Sequence, residues 1–134
     1  MRAAWHGCRT IYATTRPGYE REVSEAEPEA TIQVVPEGNL TRPLALIRQL
    51  AAISWLLIRH HPDVVVTTGA APGYFAIRMG RLFGISTIWI DSIANAGELS
   101  LSGKRAGPHA DLWLTQWKHL SGTPAGPQYE GAVL

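Results

Sequence analysis

The chain has 134 residues, 46% hydrophobic and 17% charged, a composition typical of one globular domain, 1–134, with a buried core. Twelve basic and eleven acidic residues leave a net charge of +1, which gives no electrostatic reason to expect nucleic-acid binding. The single cysteine, Cys8, excludes an internal disulfide and fits a reducing compartment. Apolar runs fall short of the ~20 residues that span a bilayer, so we expect a cytoplasmic protein that can lie against a membrane.

The first third of the chain contains two predicted strands. β-prone residues 10–15 run into an Arg-Pro-Gly breaker and predict the first strand. The acidic stretch 18–30 is interpreted as a solvated loop or a frayed helix. Residues 31–35 predict the second strand, which ends at a proline.

Residues 41–61 form the strongest predicted helix, with Thr41 as its N-cap and two histidines and a proline at its end. Apolar residues occur nearly all round it, so it must be covered on most sides. It is either a core helix or one whose Trp55, flanked by Arg48 and Arg59, lies at a membrane surface or a partner interface. The predicted core stripe comprises Leu46, Ile47, Leu50, Ile53 and Leu57.

The second half of the chain alternates strands and helices. The β-branched run 63–69 predicts a parallel strand buried on both faces, and residues 70–73 then start a helix of about ten residues that ends at Phe83. Further strands are predicted at 86–90 and 110–116, with a short helix at 101–107 between them. This order predicts an α/β fold, a Rossmann-like parallel sheet with helices on both faces.

Polar residues follow the strands at the points where they end. Because parallel strands end at one edge of a sheet, we predict a ligand pocket where Thr68, Asp91 and Gln116 meet. Asp91 is either a general base or, as such residues more often are, a turn or cap residue. The residues at these strand ends are Thr68, Gly69, Asp91, Ser92, Gln116 and Trp117.

Other motifs are incomplete. Ser102-Gly103-Lys104 does not complete the phosphate loop of ATPases, because the first glycine of that loop falls on Glu98. The five histidines lack metal-ligand spacing, and neither a metal nor a cofactor is predicted. The helix start at residues 69–73 suits an anion, which leaves a stand-alone nucleotide- or anion-binding module as an alternative function. An inactive truncated product is a further alternative.

Four segments in a fixed order resemble a known family. They are Asp91-Ser92-Ile93-Ala94-Asn95, then Leu99-Ser100-Leu101-Ser102-Gly103-Lys104, then Ala110-Asp111-Leu112-Trp113-Leu114-Thr115-Gln116-Trp117, and finally Tyr129-Glu130-Gly131. The family is the anchoring, acceptor-side subunit of the two-part UDP-N-acetylglucosamine transferase of dolichol-linked oligosaccharide synthesis, with its bacterial exopolysaccharide relatives. The resemblance extends over roughly residues 10–134.

This resemblance implies the N-terminal half of a GT-B glycosyltransferase, which is not catalytic alone. Such a subunit lies at the cytosolic face of a membrane, binds a polyprenyl-diphosphate-linked acceptor and recruits a separate UDP-sugar-binding subunit. Gln116 and Trp117 are expected at the partner interface or against a sugar. The expected acceptor-binding residues are Thr68, Gly69, Asp91, Ser92, Asn95, Ser100, Ser102, Gly103 and Lys104.

Two departures from the family pattern change these expectations. The glutamate and arginine of the family fall on Asp91 and Asn95, so any ion pair that those two residues make cannot be assumed here. The family also opens with a strand and a glycine-rich turn, whereas the first strand here matches the family's second. That missing strand is central in a doubly wound sheet. We therefore expect a longer natural protein, or else a gap or direct closure between strands 10–15 and 63–69.

Overall fold

The structure is a computed structural model that describes residues 5–132. Strands and helices alternate along the chain, which confirms the predicted α/β class. The elements are β1 (Ile11–Thr14), α1 (Tyr19–Ala26), β2 (Thr31–Val34), α2 (Pro43–His60), β3 (Val64–Thr67), α3 (Ala70–Leu82), β4 (Ser86–Ile90), α4 (Leu101–Ala106) and β5 (Leu112–Leu114).

The five strands form two parallel sheets. β1 pairs with β2, and β4 lies between β3 and β5 in the second sheet. Within residues 5–132 no ladder joins β1 to β3, so each of these strands keeps one unpaired edge. This is the gap that the sequence leads us to expect. Unpaired strand edges favour pairing with another segment, which makes this the part of the fold most prone to association.

One hydrophobic core connects the two sheets through α2. Ile53 and Leu57 on its inner face are buried with Val35, which follows β2, and with Ile85, which precedes β4. Phe75 and other residues of α3 pack against this cluster. Truncating one such side chain to alanine typically costs about 2–5 kcal/mol.

A second core lies beneath α3 and α4. Ile77, Trp89 and Ala106 are fully buried there, and Trp113 packs against them. Glycines in the helices allow them to pack closely against the sheet. A Cβ on Gly80 would lie 2.9 Å from the Thr87 methyl carbon. The close packing of α3 on the sheet therefore requires small residues on its sheet-facing side.

The structure corrects two predictions for α2. Arg42, not Thr41, is the N-cap, because the Thr41 amide and hydroxyl both donate to Asn39 Oδ1, at 2.7 and 2.6 Å. Ile47 is 60% exposed, so it lies outside the core stripe to which the sequence assigned it. Gln49 is buried instead and donates through Nε2 to the Pro36 carbonyl at 2.8 Å. The inner face of α2 thus includes a polar residue, which a search for hydrophobic periodicity does not identify.

Candidate functional site

The strands of the second sheet end together. Thr67 is the register partner of Trp89, and Ile90 is the partner of Leu114. Thr68, Asp91 and Gln116 therefore lie at one edge, hereafter the rim, which confirms their predicted placement. Their part in ligand binding stays a prediction.

Asp91 organises the loop of residues 91–100 that leaves β4 at the rim. Its side chain is 1% exposed. Oδ1 accepts from the Ser92 amide at 3.0 Å and from Asn95 Nδ2 at 2.8 Å, while Oδ2 accepts from the Ser100 amide at 3.2 Å. The carboxylate thus ties both ends of the loop together, which favours the cap interpretation over a general base. The Asp91–Asn95 hydrogen bond joins the two positions of this segment that depart from the family pattern.

Residues after β5 hold the same loop from the other side. Gln116 Nε2 donates to the Asp91 carbonyl at 3.0 Å. The Trp117 indole N–H donates to the Ile93 carbonyl at 2.9 Å, and His119 Nε2 lies 2.7 Å from the Ala96 carbonyl oxygen. The loop is therefore fixed to two neighbouring strand ends, and the predicted residues Gln116 and Trp117 hold it in place.

The start of α4 packs directly against Asp91. Ser100 is the N-cap, and its Oγ accepts from the Gly103 amide at 2.9 Å. A Cβ on Gly103 would lie 2.6 Å from Asp91 Oδ2 and 3.1 Å from Trp89 Nε1. Only glycine allows this approach, which gives a physical reason for its position in the motif. Ser102, on the first turn of α4, is partly exposed.

Lys104 is already paired on the protein surface. Its Nζ lies 2.7 Å from Glu98 Oε2, with side-chain exposures of 49% and 80%. The hydrogen bond from Lys104, and then its charge, lower the pKa of the Glu98 carboxyl below its usual value. An anionic ligand of Lys104 therefore competes with Glu98 for the ammonium group. Sequence reasoning missed this partner, although Glu98 is the one carboxylate between residues 92 and 110.

The turn between β3 and α3 has unusual backbone conformations. Gly69 has a φ of 141°, and Ala70 has a φ of 61°, in the left-handed region that a residue with a Cβ seldom adopts. The Gly69 amide bonds to Thr67 Oγ1 at 3.3 Å, and α3 has no side-chain N-cap. Such strain costs on the order of 1–3 kcal/mol and tends to occur at functional sites. A binding role for the turn at Thr68 and Gly69 stays a prediction.

A small cavity of about 150 Å³ opens at the same edge; Gln116 lines it, but Thr68 and Asp91 do not. Ile90, Leu114 and Thr115 line one side, and residues 130–132 line the other. The Leu114–Gln128 bridge holds this tail parallel to β5. Sequence reasoning missed this bridge, because a single pair of residues has no periodicity.

Arg48, Trp55 and Arg59 lie on the exposed side of α2, a different element from those that form the rim. Trp55 is 56% exposed, and the guanidinium carbon of Arg59 lies 5.4 Å from the centre of its ring. The inner face of α2 is therefore that of a core helix, and contact of the outer face with a membrane or a partner stays a prediction. None of the helices in the described part of the chain is long and apolar enough to cross a membrane.

The fold is that of a GT-B glycosyltransferase half. The chain superposes on the crystal structure of Acinetobacter baumannii MurG with a TM-score of 0.76 and 12% identity, covering 99% of this chain and 39% of the MurG chain. At that identity the likeness establishes the fold alone.

The sequence establishes the family. The family described as "Oligosaccharide biosynthesis protein Alg14 like" matches residues 31–133, and the chain belongs to it. The UDP-N-acetylglucosamine transferase subunit ALG14 of Yarrowia lipolytica is 27% identical over 134 residues, 94% of this chain and 60% of the relative. The corresponding Schizosaccharomyces pombe subunit is 32% identical over 79 residues, 54% of this chain and 37% of the relative. The chain thus spans less than two thirds of the length of these relatives.

Proposed function

We propose that this chain is the acceptor-binding and partner-recruiting half of a two-component glycosyltransferase. The complete enzyme would transfer a sugar from a UDP-sugar to a polyprenyl-diphosphate-linked saccharide at the cytosolic face of a membrane. The main support for this proposal is the match of residues 31–133 to the family. The match to 39% of a MurG chain supports a role as one half of such an enzyme.

The rim offers groups that suit a diphosphate-linked sugar. Lys104 and Arg105 are exposed cations on α4, and cations pair well with phosphate oxygens. The Lys104–Glu98 pair is exposed and screened by solvent, so an acceptor diphosphate can replace the carboxylate at little cost. The partly exposed side chains of Ser92 and Ser102 provide hydroxyls nearby.

We assign Asp91 a positioning role in this reaction. An acceptor hydroxyl oxygen bonds to the anomeric carbon, the bond from that carbon to UDP breaks, and the hydroxyl proton passes to a base. A base must reach that proton. Asp91 is buried and both of its oxygens accept hydrogen bonds from the loop, so its geometry suits holding Ser92 and Ser100 in place.

Reconstitution with the UDP-sugar-binding subunit encoded in the same organism tests the proposal. We expect sugar transfer to a polyprenyl-diphosphate-linked acceptor when both chains are present and none with either alone. Lys104→Ala should raise the KM for the acceptor and leave the KM for the UDP-sugar unchanged. Arg78→Ala, which removes an exposed cation on α3, is the matched control. UDP-sugar binding by this chain alone would instead support the stand-alone nucleotide-binding module.

A further inference from the structure

His119 lies at the rim in a fixed orientation. It belongs to a short 3-10 turn, Lys118–Leu120, that follows β5. Its Nε2 lies 2.7 Å from the carbonyl oxygen of Ala96, in the loop that leaves β4. The imidazole ring is therefore held between two neighbouring strand ends, although the residue is exposed to solvent.

The hydrogen bond to Ala96 determines which ring nitrogen carries the proton. A carbonyl oxygen can only accept a hydrogen bond, so Nε2 of His119 is the donor. In the neutral ring the other nitrogen, Nδ1, then carries the lone pair. Within residues 5–132, Nδ1 has no hydrogen-bond partner. His119 thus offers a free basic nitrogen at the rim, whereas the carboxylate of Asp91 is enclosed.

The other ionisable groups of this turn and of the loop 91–100 are less suited to take up a proton. Asp91 is 1% exposed, and both of its oxygens accept hydrogen bonds from the loop. The hydrogen bond from Lys104, and then its charge, lower the pKa of the Glu98 carboxyl, which makes it a weaker base. Lys118 is a cation with donors only. His119 is therefore the group of these two segments that best fits a base.

The surroundings of His119 place it beside the groups proposed to hold the acceptor. Its partner Ala96 is two residues from Glu98, the partner of Lys104, so the Cα atoms of these two partners are at most about 7 Å apart. The ring centre of Trp117 lies 6.0 Å from that of His119. An acceptor with its diphosphate on Lys104 and its sugar against Trp117 would bring a sugar hydroxyl to Nδ1.

We propose that His119 is the general base of the sugar transfer, an assignment that rests on the proposed function. Nδ1 takes the proton of the acceptor hydroxyl while the hydroxyl oxygen bonds to the anomeric carbon of the UDP-sugar. The bond from that carbon to UDP breaks, and UDP leaves with the electron pair. The imidazolium then releases its proton to water. Because Nε2 carries a hydrogen in both charge states, the bond to Ala96 keeps the ring oriented throughout.

His119→Gln separates the role of a base from that of a structural contact. The glutamine amide can still donate to the Ala96 carbonyl, but it cannot take up the hydroxyl proton. The assay uses the full chain reconstituted with the UDP-sugar-binding subunit, UDP-N-acetylglucosamine and a polyprenyl-diphosphate-linked monosaccharide. We expect kcat to fall by roughly a hundredfold or more, with little change in the KM of either substrate. His6→Gln, at an exposed histidine before β1, should transfer like the parent protein.

Chemical rescue and hydrogen exchange complete the test. Imidazole added to His119→Ala should restore part of its kcat, and His119→Gln should leave hydrogen exchange in the loop 91–100 unchanged. Transfer by His119→Gln at the parent rate would overturn the assignment and leave the proposed function intact. Faster exchange in the loop of His119→Gln, without rescue of His119→Ala by imidazole, would show that His119 only positions the loop and that the assignment is wrong. Absence of transfer by the parent complex would overturn both.

Discussion

Replacing Asp91 by asparagine removes a buried charge that three donors share. The most favourable orientation keeps the amide oxygen at the Oδ1 position, where it still accepts from Ser92 and Asn95. The new NH₂ group then faces the Ser100 amide, so one bond is lost and two donors oppose each other. Hydrogen bonds to charged groups contribute about 1.5–3 kcal/mol. We therefore expect Asp91→Asn to lower the free energy of unfolding by about 2–4 kcal/mol.

Thermal unfolding followed by circular dichroism measures this loss, which corresponds to a melting temperature lower by roughly 5–15 °C. Hydrogen exchange should show faster exchange of the amides in the loop 91–100 than global destabilisation alone produces. Asp63→Asn is the control, because that carboxylate is exposed and has no side-chain hydrogen bond within the described residues. Equal stability of Asp91→Asn and the parent protein would refute the claim that Asp91 holds the loop.

Three further predictions concern neighbouring residues. Glu98→Gln should free Lys104 and tighten binding of a polyprenyl-diphosphate acceptor several-fold, as measured by titration, because the carboxylate no longer competes with the diphosphate for the ammonium group. Gly107→Ala should lower the free energy of unfolding in urea by about 3 kcal/mol, because its Cβ would overlap the indole of Trp113. Hydrogen bonds from the Thr87 amide and then its hydroxyl lower the pKa of Asp111. Its carboxylate therefore stabilises the fold above the usual aspartate pKa of about 3.9, and this contribution is lost as pH falls through the lowered value.

Each of these predictions has a matched comparison. Unchanged acceptor affinity in Glu98→Gln would show that Lys104 does not contact the acceptor. Gly97→Ala, with open space around the added Cβ, should be neutral, and an equal effect at both glycines would contradict the packing argument. The stability difference between the parent protein and Asp111→Asn should shrink as the pH falls below about 4, and a constant difference would count against the hydrogen-bond explanation.

Local sequence signals predicted most of the elements. The β-branched run before Thr68 and the apolar run 86–90 identified β3 and β4, because parallel strands buried on both faces carry continuous apolar residues. Proline and glycine breakers located the helix ends to within a few residues. The placement of Thr68, Asp91 and Gln116 at one edge of the sheet followed from the parallel arrangement alone.

Tertiary contacts determined what the sequence could not predict. Ile47 faces outward because the rotation of α2 about its axis is set by the elements it covers, and α2 is apolar on both sides. The donors around Asp91 and the pairing of Lys104 with Glu98 depend on the path of a loop that has no periodicity. The motif identified Gly103, but its close approach to Asp91 is visible only in three dimensions.

Photo-crosslinking from the two ends of β3 tests most directly whether the rim binds the acceptor. Thr68 and Asp63 are both exposed and flank β3 at its opposite ends. With p-benzoylphenylalanine at either position and a polyprenyl-diphosphate-linked acceptor added, we predict a crosslink to the acceptor from position 68 and none from position 63. Crosslinking from position 63 alone, or equally from both, would contradict the account.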